Sequence, residues 1–174
     1  MAASKKSSAE VTVRTARSGD AAQIAAIYNH YVCKSVVTFE EKPVNVGEVR
    51  VRIRMIRALG LPWIVAETGG EVVGYAYANK WKERAAYRNS VETTVYLRAD
   101  STGRGIGRVL YARLIADLRA LCLHAIIGGI ALPNAASIGL HESLGFKKVA
   151  HFEQVGRKFD RWIDVGYWQL TVDG

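Results

Sequence analysis

The chain has 174 residues, the length of one domain with room for a core of useful size. Hydrophobic residues at 49% and charged residues at 23% are ordinary for a globular protein, and no apolar run approaches the roughly 20 residues of a membrane span. The net charge of +8 invites an anionic ligand, but the Lys and Arg residues are scattered, with no long basic block and no aromatic-interleaved patch, so most of the charge reads as solvated surface and not as a nucleic-acid face.

Residues 1–10 are Ala, Ser and Lys with no apolar stretch, which predicts a disordered tail and no signal peptide. Val11 to Arg17 alternates and reads as a first strand. Asp20, with Gln23 three residues on, predicts a capped helix whose apolar face is Ala21, Ile24, Ala25, Tyr28 and Tyr31. Ser35 to Phe39 is an extended loop. Asn45 with Glu48 marks a second helix start, followed by Val49, Ile53 and Ile56, with Gly60 and Pro62 closing it. Trp63 to Thr68, the Gly69-Gly70 turn and Glu71 to Trp81 read as a hairpin. Lys82 to Asn89 is a polar loop.

Val91 to Leu97 is rich in β-branched and aromatic residues and predicts a strand, followed by a polar turn over Arg98 to Thr102. Gly103-Arg104-Gly105-Ile106-Gly107 leads into a helix with Ile106, Val109, Leu110, Leu114, Ile115, Leu118 and Leu121 at helical spacing. A glycine turn between strand and helix gathers free N–H groups and the positive end of the helix dipole at one point, which suits a phosphate. An ordinary tight connection is the alternative. Neither the P-loop nor the dinucleotide fingerprint fits, since Leu110 stands where the latter needs its third glycine. His124 to Leu132 reads as a buried strand, broken by Pro133-Asn134. Ala135 to Leu144 is a short helix ended by Gly145, with Phe146 for the hydrophobic contact. Lys147 to Val155 and Arg161 to Leu170 alternate around a turn at Gly156 to Asp160 and close the chain as a hairpin.

The four histidines, His30, His124, His141 and His151, show no metal-ligand pairing, so no metal is expected. Cys33 and Cys122 fit no ligand or redox spacing and read as reduced, mostly buried thiols of a cytoplasmic protein.

Pattern alone gives an α/β domain with a mixed sheet. The glycine turn resembles Q/R-x-x-G-x-G/A, the pyrophosphate loop of the GNAT superfamily of N-acetyltransferases, with Thr102 where that pattern has Gln or Arg. Asn29-His30-Tyr31, Val37-Thr38-Phe39, Pro62-Trp63, Ala76-Tyr77-Ala78, Trp81 to Tyr87, Glu92 to Tyr96, Leu132-Pro133-Asn134, His141 to Phe146 and Trp162 to Leu170 are similar to the phosphinothricin and methionine sulfoximine N-acetyltransferases within it. These stretches run over about residues 11 to 171, so the resemblance covers nearly the whole of a single domain over 11–174.

The resemblance implies a GNAT fold, acetyl-CoA as co-substrate, a small amino-acid substrate, no nucleic acid or membrane partner, and a homodimer. An attacking amine is mostly protonated at neutral pH, so a base is needed. The resemblance gives that role to Glu92, otherwise a carboxylate on a solvated strand face. It gives pantetheine pairing to Val95, Tyr96 and Leu97, with an oxyanion donor N–H near Val95. His141 stands where many GNAT enzymes carry a Tyr that protonates the leaving thiolate, and an imidazole could donate there or be a satisfied helix histidine. Gly103, Arg104, Gly105, Ile106, Gly107 and Arg108 face the CoA phosphates, while Asn134 contacts the pantetheine amide or caps a helix, or both. Phe39, Lys82, Arg84 and Tyr87 line the amino-acid pocket, where Lys82 and Arg84 suit a carboxylate or phosphinate. Phe39, Trp81 and Tyr87 suggest that this pocket is closed and small, against an open groove for protein amines.

Overall fold

The structure is a computed structural model that describes residues 10–172. The tail expected over residues 1–10 lies, apart from Glu10, outside the described residues. The elements are β1 (Thr12–Thr15), α1 (Ala21–Lys34), α2 (Val46–Ala58), β2 (Trp63–Thr68), β3 (Glu71–Lys80), β4 (Ser90–Leu97), α3 (Ile106–Ala120), β5 (Ala125–Ala131), α4 (Ala135–Ser143), β6 (Lys147–Lys158) and β7 (Arg161–Thr171). This is the expected order. The strands form one sheet, β1-β2-β3-β4-β5-β7-β6, in which β4 and β5 are parallel and every other neighbouring pair is antiparallel.

Local chemistry fixes several boundaries. Asn45 Oδ1 accepts the Glu48 N–H at 3.0 Å and Glu48 Oε2 accepts the Asn45 N–H at 2.6 Å, a reciprocal cap that satisfies two otherwise orphaned donors of α2. Gly69 and Gly70, at φ +58° and +83°, make the two-residue turn whose twist matches the β2–β3 strands.

Four expectations are corrected. Asp20 does not cap α1. Its carboxylate pairs with Arg14 at 2.8 Å and accepts the Arg17 N–H at 2.6 Å, closing a short 3-10 turn before the helix, while Gln23 Oε1 accepts the Val72 N–H from β3. Val109 and Leu121 hold helical spacing with the buried face of α3, yet they stand at its margin and are half-exposed. Cys33 and Cys122 are exposed, one in the outer last turn of α1 and the other, at φ +55°, in the turn after α3. The last hairpin turns only at the end of the expected Gly156 to Asp160 segment. β6 continues to Lys158, and the turn is Phe159-Asp160, both in the left-handed region without a glycine. Gly156 is there instead because the Phe39 ring lies where a side chain would be.

Helices cover both faces of the sheet. On one face, Leu110, Tyr111, Leu114 and Leu118 of α3 pack against Ile64, Ala76, Val91 and Ile126 of the strands. On the other, Ile24 of α1 and Ile53 of α2 pack against Trp63, Val65 and Tyr75. The last hairpin leaves Val149, Phe152, Val155, Phe159 and Trp162 largely in solvent.

Candidate active site

The site is built on a fork in the sheet. β4 and β5 pair only over Ser90–Ala125, Val91–Ile126 and Glu92–Ile127, after which they part. Beyond Glu92, no strand among the described residues lies on the β5 side of β4. Ala78 turns its N–H away from β4, to Pro62 O, so its ladder partner Thr93 turns its backbone toward the fork. By alternation Val95 and Leu97 do the same. Leu97 O accepts the Tyr31 hydroxyl at 2.6 Å, and the Val95 peptide faces the opening.

Glu92 lies at the last paired position. Successive strand residues alternate between faces. Val91 and Thr93 face α3, so Glu92 faces the α1/α2 side, half-buried. Burial pushes its pKa above the ordinary carboxylate range, and the Lys82 ammonium nearby opposes that shift only in part. The Glu92 carboxylate in turn adds to the burial that raises the Tyr167 hydroxyl.

His141 approaches the fork from the opposite face. It is buried on α4 between Tyr111 and Phe146, ring centroids 5.0 and 5.1 Å away. Its Nδ1 is 2.8 Å from Ser137 O and its Nε2 is 3.1 Å from the Tyr111 hydroxyl, which lies 2.6 Å from Thr93 Oγ1. Burial lowers the imidazole pKa. The two expected catalytic side chains therefore meet at one fork, across the sheet from each other.

The residues that allow this were not singled out in the sequence. A side chain on Gly128 would collide with the His141 ring, and one on Gly129 would come within 3.2 Å of Glu92 Oε1 and 3.1 Å of the Tyr167 ring. Two adjacent glycines inside an apolar strand are the signal, since glycine there marks a close approach. Tyr111 was missed because it falls on the apolar stripe of α3 and reads as core, although a buried Tyr hydroxyl needs a partner.

At the far end of β4, Gly103 and Gly105 take φ +71° and +78°, and nothing lies within 4 Å of where a side chain on either would stand. Gly105 is the residue before the first turn of α3, whose N–H groups open toward this space. Ile106 and Gly107 are buried, Gly107 beside Leu97 and Leu140. Arg104 is exposed, whereas Arg108 donates to Ser143 O at 3.1 Å and so ties α3 to the end of α4. Asn134 Oδ1 accepts the Ser137 N–H at 3.0 Å and caps α4.

The four expected pocket residues do not share one cavity. Lys82, Arg84 and Tyr87 line a cavity of about 430 Å³ whose floor is Leu59, Val91 and Leu123. Phe39 lines another, with Glu40 and Arg52, of about 410 Å³. Phe39 and Tyr87 are 40% and 41% exposed, so neither closes a small pocket. Trp81 does reach the site, its ring 5.5 Å from that of Tyr167 and 4.8 Å from Lys82 Nζ.

Residues 13–166 match the acetyltransferase (GNAT) domain family. The chain is 41% identical over 163 residues to a phosphinothricin N-acetyltransferase of Alcaligenes faecalis, covering 93% of this chain and 83% of that protein. It is 39% identical to an L-methionine sulfoximine/L-methionine sulfone acetyltransferase of Salmonella typhimurium, covering 94% and 95%. An acetyltransferase from Salmonella typhimurium solved with acetyl-CoA superposes with a TM-score of 0.91 at 39% identity, covering 94% of each chain.

Proposed function

The chain belongs to the GNAT family of acetyltransferases, and from that premise we propose that it moves an acetyl group from acetyl-CoA to the α-amine of a small amino acid of the phosphinothricin, methionine sulfoximine or methionine sulfone type. The observation that carries this reading is Glu92, half-buried at the last paired position of the fork with its pKa raised. A carboxylate of raised pKa is a better base near neutral pH than an exposed one.

The chain's own groups divide the work. The α3 N-terminus with Gly103 and Gly105 offers open main-chain donors for a pyrophosphate, and Arg104 adds charge. The Val95 peptide, which faces the fork while Tyr96 pairs with β3 and Leu97 O accepts the Tyr31 hydroxyl, suits an extended amide-bearing arm, with the Val95 N–H as oxyanion donor, and Asn134 stands at the facing end of β5. Glu92 removes the ammonium proton, directly or through water. The amine nitrogen bonds to the thioester carbonyl carbon, the C–S bond breaks with its electron pair leaving on sulfur, and the surplus proton on the acylated nitrogen passes to that sulfur, directly or through water, giving the amide and the thiol. Lys82 and Arg84 hold the carboxylate of the amino acid; Arg84 has no ion-pair partner among the described residues and its planar fork suits two-point contact. Tyr87 lines the same cavity as Lys82 and Arg84, whereas Phe39 lies in another. A cytoplasmic homodimer belongs to the same reading, supported by the apolar side chains that the last hairpin leaves in solvent; sedimentation equilibrium at the mass of one chain would remove the dimer.

The acceptor is tested with methionine sulfone and its carboxamide. Loss of a charge-assisted hydrogen bond costs about 1.5–3 kcal/mol, so the amide and the Arg84→Ala variant should each lower kcat/KM roughly tenfold to a hundredfold, without adding to one another. Equal turnover of acid and amide by the parent protein would shift the acceptor to protein or other amines.

A further inference from the structure

We infer that Tyr111 is a positioning residue of the acyl-transfer site: its hydroxyl donates to Nε2 of His141 and fixes the imidazole as a hydrogen-bond acceptor at the fork, while Thr93 ties the pair to the last paired residue of β5. This rests on the fork being the place of transfer, as proposed above.

Hydrogen-bond chemistry sets the proton positions. Nδ1 of His141 lies 2.8 Å from Ser137 O, and a carbonyl can only accept, so Nδ1 carries a proton. A neutral ring then has a bare Nε2, and the Tyr111 hydroxyl at 3.1 Å must be the donor. Ile127 O can only accept, so Thr93 donates to it at 3.1 Å, and Thr93 Oγ1 stands 2.6 Å from the Tyr111 oxygen. Tyr111 is the titratable side chain that α3 sets against the ring; Phe146 and Gly128 close the other sides, and neighbouring Glu142 is engaged with Trp168 Nε1. Burial lowers the imidazole pKa, which keeps the ring neutral.

The consequence concerns the leaving group. A neutral His141 held this way has no N–H free to hand to a thiolate, because its only proton is committed to the helix backbone. A thiol of pKa near 8.5 leaves tolerably as thiolate. His141 therefore shapes the fork as an acceptor, and Tyr111 is what keeps it in that state. The Tyr111 and Thr93 hydroxyls link His141 to Ile127 O at the point where β4 and β5 cease to pair.

The test uses the whole protein labelled with ¹⁵N-histidine, with His141 assigned by its absence in His141→Asn. At neutral pH the parent should show Nδ1 protonated and Nε2 bare. In Tyr111→Phe the Nε2 resonance should move toward that of a free imidazole nitrogen, while Nδ1 stays protonated. The ring stays stacked on Phe146, 5.5 Å between centroids, so the variant should fold. Its kcat should fall about tenfold or more with the KM for acetyl-CoA within about twofold of the parent. A parent ring protonated at Nε2, an Nε2 signal unmoved in Tyr111→Phe, or an unchanged kcat would each overturn the assignment. The spectrum of the parent alone decides the tautomer if the variant does not fold. It needs no turnover, so a protein inert toward amino acids refutes the proposed function and leaves the hydrogen-bond claim to be judged separately.

Discussion

Glu92, the proposed base, also costs stability. Its carboxyl is held above the ordinary range by burial first, with Lys82 pulling the other way. A group whose folded pKa is raised binds its proton more tightly in the folded than in the unfolded chain. It therefore favours folding at low pH, and that advantage is lost as the pH climbs through the raised pKa. Glu92→Gln removes the buried charge while keeping the shape. Calorimetry from about pH 4 to about pH 8 should show the Gln variant gaining on the parent in Tm as the pH rises. A difference in Tm that is flat across that range would mean that Glu92 ionises as freely folded as unfolded. At this scale the sequence was partly legible. Glu92 and His141 could be named from the motifs that flank them, but their placement on opposite faces could not, because α4 lies far from β4 in the chain. Gly128 and Gly129 were readable as glycines out of place in a strand. What they make room for depends on side chains that arrive from elsewhere.

The element to which the proposal assigns cofactor binding is the start of α3. Gly105 sits at φ +78° with open space where a side chain would stand, so its lack of one serves both the backbone and the approach of a ligand. In Gly105→Val a branched side chain would fill that space. Strain at such a position costs about 1–3 kcal/mol, less than the stability of an ordinary domain, so the variant should fold. Its acetyl-CoA affinity, by calorimetry, should fall at least about tenfold, because a displaced phosphate loses more than one charge-assisted bond. Unchanged affinity in the folded variant would take the loop out of the site. Elements whose ends are set by neighbours in the chain were the readable ones: the Asn45–Glu48 cap, the Gly69-Gly70 turn and Gly145 after α4. The last turn was readable only to within Gly156 to Asp160: Phe rarely enters the left-handed region that Phe159 takes, and the glycine of the segment, Gly156, answers to Phe39 more than a hundred residues away in the chain. Asp20 misled for a similar reason. A good capping residue was drawn off by Arg14 from β1.

The whole molecule joins these parts through a sheet that stops pairing halfway along its parallel strands. Residues before the fork bury a core shared by both faces, and residues beyond it leave main-chain groups of β4 open to a ligand. The α/β class and the element order follow from periodicity. The position of β7 between β5 and β6, and the fork that it helps to frame, come from long-range pairing that no local signal encodes. The net charge of +8 suits anionic partners without selecting one. The most direct measurement supplies acetyl-CoA carrying ¹³C in its acetyl group, with methionine sulfone as acceptor, to the parent and to Glu92→Gln at equal concentration. The account predicts label on the α-nitrogen and one thiol released per acetyl transferred by the parent. It predicts transfer roughly a hundredfold slower or more by the Gln variant, with acetyl-CoA affinity retained. Transfer by Glu92→Gln at the parent rate, or no label on the α-amine from the parent, would contradict it.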